Sequence, residues 1–149
     1  MAIEFNGLSV FQAQTAQEIN HYWDEVCVGL IEIKNKCDGV FYKPEDIYLE
    51  IKTANSKLLI ATKNNEYVGF ALIQEKQFPD GIGLHIWMMH SIKNFDGFLT
   101  DLFEIIKQIA EKMGAIRISF ASSRNGWLKK IKSIGYKQAQ TIYSFERDL

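Results

Sequence analysis

The chain has 149 residues, 47% of them hydrophobic and 13% aromatic, and carries a formal charge of −1. A chain of this kind fills one domain with a real core, does not read as a disordered segment, and has no net field to draw in nucleic acid or an anionic membrane. Its two cysteines, Cys27 and Cys37, lack metal-ligand spacing and read as reduced thiols of a cytoplasmic protein, and no run approaches the ~20 apolar residues of a bilayer span.

Residues 1–10 include Glu4 and Asn6, which argues against a secretory signal, and without one the C-terminal Glu146-Arg147-Asp148-Leu149 does not read as a retention tail. The first helix is announced by Thr15 and Glu18 at capping-box spacing, followed by Ile19, Tyr22, Trp23, Val26, Cys27 and Leu30 at steps of three and four. Cys27 thereby falls on the apolar face. Pro44 suits the first position of a second helix, with Glu45 and Asp46 at the positive end of its dipole.

From Lys57 the period changes to two. Residues 58–62 and 67–74 flank Lys63-Asn64-Asn65-Glu66, a turn-forming tetrad, and predict a β-hairpin. Residues 82–91 predict a central strand that sets Leu84, Ile86 and Met88 against His85, Trp87 and Met89. Strict alternation places His85 and His90 on opposite faces, which excludes them as a metal pair. His21, among polar neighbours, is expected to be exposed.

The longest apolar stripe, Leu99, Leu102, Phe103, Ile106, Ala110 and Met113, predicts a long helix closed by Gly114. Ile116, Ile118 and Phe120 alternate in a following strand, so strand, helix and strand form a right-handed parallel crossover. Residues 125–134 predict a further helix ending at Gly135, with Lys129, Lys130 and Lys132 on its solvated face. Residues 136–147 close the chain as one or two β segments. The expected class is α/β: one domain, 1–149, with a mixed sheet between helical layers.

This order of elements resembles the GNAT N-acyltransferase superfamily over roughly residues 11–149. The wording Asn65-Glu66-Tyr67-Val68-Gly69-Phe70-Ala71 is similar to the family's turn into its third strand, and Ala110, Gly114 and Ile134-Gly135-Tyr136 fall at family positions. The resemblance implies a phosphate loop on Asn94-Phe95-Asp96-Gly97-Phe98-Leu99, whose amides hold the pyrophosphate of acetyl-CoA at the helix N-terminus. Asn94, Gly97 and Phe98 become cofactor contacts, and Met89 and His90 at the end of the central strand line the same site. Gly97 keeps the pattern. Asn94 and Leu99 depart from it, Asp96 adds a negative charge, and Asp96 or Asn94 acting as a plain helix cap is the alternative.

The resemblance also implies a base on the central strand, where His85 stands in line with a histidine used by arylalkylamine-type members. Its usual general-acid tyrosine is replaced by Ile131, with Ser133, Tyr136 and Tyr143 near by in sequence. Only fourteen residues follow Gly135, so the acceptor wall is short or completed by a second chain. Two functions follow. One is an acetyl-CoA-dependent N-acetyltransferase acting on a small or protein amine by direct attack. The other is a catalytically degenerate GNAT-like structural or binding module, such as a phage virion component, working with an assembly partner.

Overall fold

Alternating apolar residues on either side of Asn6-Gly7 pair back on themselves as β1 (Ile3–Phe5) and β2 (Leu8–Ala13). This hairpin is absent from the sequence reading, which begins its elements at the first helix. Its signal was there: Asn-Gly flanked by alternating apolar residues is a strong short-range hairpin cue. A computed structural model describes residues 2–36, 42–92 and 97–121, apart from the side chain of Leu99.

The remaining elements follow the expected order. Helix α1 (Ala16–Lys36) opens on the reciprocal cap: Glu18 N–H donates to Thr15 Oγ1 at 3.1 Å, and Thr15 N–H donates to Glu18 Oε1 at 3.3 Å. Helix α2 (Pro44–Lys52) starts at its proline. Strands β3 (Lys57–Lys63) and β4 (Glu66–Phe78) meet through Asn64 and Asn65, both left-handed at φ 53° and 62°. Then come β5 (Gly81–Ser91), α3 (Phe98–Lys112) and β6 (Ile118–Phe120). The helix and strands expected beyond residue 121 lie outside the described residues.

The strands form one sheet in the order β1-β2-β3-β4-β5-β6, antiparallel throughout except for the parallel β5–β6 pair. Each face has its own core. On one, Leu59, Ala71, Ile73, Leu84 and Ile86 pack against Leu102, Phe103, Ile105 and Ile106 of α3. On the other, Leu58, Ile60, Phe70 and Leu72 pack against Ile19, Val26 and Leu30 of α1 and Ile47 and Ile51 of α2. Strands β3 and β4 are covered on both faces, which is why their centres read as continuous apolar runs rather than as alternations. The expected core residues Ile86, Phe103 and Ile106 are all buried.

Candidate active site

The candidate site is built around the described rungs between β5 and β6. Their register runs Leu84↔Ile118, His85↔Ser119, Ile86↔Phe120. Beyond Ile86, β5 continues from Trp87 to His90 with β4 paired on one side and, among the described residues, no strand paired on the other. A strand edge of this kind presents unused N–H and C=O groups to whatever lies beside it.

The strand is also irregular at this point. Ile73 pairs with Ile86 but Leu72 pairs with Met88, so Trp87 is an extra residue opposite a continuous β4. Such a bulge bends the strand and re-aims the side chains that follow. Partners across a rung share a face. Phe70, Leu72 and Gln74 share the α1–α2 face of β4, so their partners His90, Met88 and His85 share it too. Met89, opposite Ala71, packs instead on the α3 side.

Two expectations are thereby corrected. His85 and His90 lie on the same face, and Met88 and Met89 are exchanged relative to strict alternation. The physical reason is the single extra residue between the two histidines, which inverts the parity of everything after it. Being on one face does not bring them together as ligands, because each has its own partner.

His85 is half-buried and its Nδ1 lies 3.0 Å from Ser119 Oγ on β6. Burial, with the Lys76 ammonium as a lesser cause, holds its imidazole below the ordinary range, so it is neutral at neutral pH. His90 is tied elsewhere: its Nε2–H donates to Glu32 Oε2 of α1 at 2.6 Å, and its ring stacks on Phe70. The imidazole fits under α1 only because residue 29 is glycine; a Cβ there would stand 2.7 Å from His90 Nδ1. The side chain of His90 is thus engaged by α1 and is not available to a ligand.

Helix α3 begins at the C-terminal end of β5, after a short link. Its N-cap is Gly97, left-handed at φ 75°, with no side-chain cap; the Asp101 N–H donates to the Gly97 carbonyl at 2.9 Å. The cap position is therefore held by a glycine, not by Asp96 or Asn94, both of which lie outside the described residues, as does Ile131. The side chain of Phe98 is buried in the α3-side core, which withdraws it from any ligand. Asn6 Nδ2 donates to Asp101 Oδ1 at 3.0 Å, pinning the first turn of α3 to the N-terminal hairpin. Cys27 is free and half-buried, and burial followed by the charges of Asp24 and Glu45 pushes its thiol up, which disfavours the thiolate.

No protein-family model and no curated protein matches the chain. Solved structures do match it. An aminoglycoside acetyltransferase from an uncultured soil metagenomic sample, in complex with sisomicin, superposes with TM-score 0.72 at 12% identity, covering 97% of each chain. A ribosomal-protein-alanine N-acetyltransferase from Brucella melitensis gives 0.70 at 12% identity over 94% of this chain and 97% of that one. A GNAT family acetyltransferase from Staphylococcus aureus gives 0.69 at 12% over 95% and 99%. The chain has the fold of the GNAT acetyltransferases.

Proposed function

We propose that the chain is an acyl-CoA-dependent N-acetyltransferase acting on an amine. The observation that carries this reading is the bulge at Trp87 and the stretch from Trp87 to His90, which among the described residues has no strand paired on its β6 side and lies a few residues before the glycine-capped start of α3. An extended ligand with amide groups can add to that edge as a further strand would, while its phosphates meet the amides of the α3 first turn. The glycine at position 97 keeps the helix entry free of a side chain there. Acyl-CoA has this combination of an amide-bearing arm and a pyrophosphate, and it supplies the activated acyl carbonyl.

The chain's own residues would do the rest by position and charge. Main-chain N–H groups at the bulge, around Trp87 to Met89, would stabilise a carbonyl oxygen gaining negative charge. His85, two residues before the bulge and neutral, can accept a proton from an incoming ammonium and release the free amine for attack. Holding two substrates in one crevice supplies much of the remaining acceleration. An acyl-CoA co-substrate and a reduced Cys27 both suit the cytoplasm.

The test is release of free thiol from acetyl-CoA with amine acceptors of the kinds the solved relatives are named for, an aminoglycoside and a peptide with N-terminal alanine. Turnover with either that is lost in His85→Gln supports the reading. No thiol release with acceptors of either kind, from protein that is folded, would count against it.

A further inference from the structure

Three rungs join β5 to β6, and the middle one, His85↔Ser119, is the one whose side chains are both polar. The Leu84 N–H donates to the Arg117 carbonyl at 3.0 Å and locks the register. Because rung partners share a face, the imidazole and the hydroxyl are brought to 3.0 Å by strand pairing itself, one rung before the last described one, Ile86↔Phe120. Gln74, across from His85 on β4, is turned to Ser56 (2.9 Å), and the charged neighbour on that strand is Lys76. Ser119 is therefore the hydrogen-bonding side chain that the imidazole has among the described residues.

A neutral imidazole has one N–H and one lone pair. If the Ser119 hydroxyl donates to Nδ1, the proton sits on Nε2 and His85 has no free lone pair for a substrate. If Nδ1–H donates to Ser119 Oγ, Nε2 is left basic. Taking up a proton at Nε2 then gives an imidazolium whose Nδ1–H keeps an oxygen acceptor, so no group has to turn during the transfer.

We propose that Ser119 is a positioning residue, which accepts the His85 Nδ1–H and so reserves the Nε2 lone pair as the base of the reaction. Its catalytic consequence rests on the acetyltransferase reading above; the tautomer it sets does not. Nitrogen-15 NMR of the His85 ring, recorded well above the imidazole range, reads the tautomer directly. Wild type is expected to show a protonated Nδ1 and a lone-pair Nε2, Ser119→Ala a shift of population toward Nε2–H, and Ser119→Thr the wild-type pattern. A protonated Nε2 in wild type, or an unchanged pattern in Ser119→Ala, overturns the proposal. In turnover, Ser119→Ala should lower kcat by roughly 10- to 100-fold, the scale for groups that orient a functional histidine, with the KM for acetyl-CoA unchanged and Ser119→Thr restoring the rate. An unchanged kcat would overturn the positioning role. A wild type without turnover would count against the acetyltransferase reading, while the ring spectra would still decide the tautomer.

Discussion

As the base of the proposed reaction, His85 would have to be dry enough to stay neutral and open enough to reach an amine. Burial and Lys76 lower its pKa, so the basic form should persist below the ordinary value of 6.5. Turnover is expected to rise with pH through that lowered value and to be flat above it, with Lys76→Gln moving the midpoint upward; a profile with no step on the acid side would remove His85 as the base. His85→Gln should cost about 10²–10⁴ in kcat with acetyl-CoA binding unchanged. The same shift bears on stability. Below 6.5 the unfolded chain binds a proton that the folded imidazole refuses, so this contribution is full above 6.5 and is lost as pH falls toward the folded value. Glu32 acts in the same direction lower down: its hydrogen bond to His90 depresses its pKa below 4.5, so its contribution is present above that value and lost as the carboxylate protonates. Gly29→Ala tests the fit beneath α1. A Cβ 2.7 Å from both Phe70 and His90 should destabilise by about 1–3 kcal/mol, in spite of alanine's better helix propensity. Denaturant unfolding with no loss, and with the His90–Glu32 pair intact, would contradict that packing.

At the scale of elements, α3 is the main core partner of its sheet face, with Leu102, Phe103, Ile105 and Ile106 all buried. Phe103→Ala should cost roughly 3–5 kcal/mol in equilibrium unfolding, and a loss well under 1 kcal/mol would mean the helix presents another face. Elements with local signals were legible in the sequence: the Thr15–Glu18 cap, Pro44, the two asparagines of the β3–β4 turn, and the stripe of α3. The bulge at Trp87 was not. A one-residue insertion exists only relative to the partner strand, and the apolar wording of β5 looks alike on both faces. That is why alternation assigned His90 and Met88 to the wrong sides, whereas the placing of His85, which precedes the bulge, was unaffected by it. Ser119 escaped notice for a related reason: a serine in a three-residue strand carries no signal until pairing sets it against a histidine.

For the whole molecule, fold and chemistry must be kept apart. The GNAT architecture was readable from element order alone, and the structural matches at 12% identity speak to that architecture. The proposed chemistry depends instead on whether β5 beyond its bulge and the glycine-capped start of α3 take the co-substrate, given Asp96 in the sequence before the cap and Leu99 after it. Acetyl-CoA binding is the most direct measurement. At 100 times its dissociation constant a ligand adds about 2.7 kcal/mol to stability, which in a domain of this size raises the melting temperature by a few degrees. That shift is expected in wild type, together with amide NMR changes concentrated at residues 87–91 and at Gly97. A flat melting curve in millimolar acetyl-CoA for both wild type and Leu99→Gly, with those amides unmoved, would contradict it.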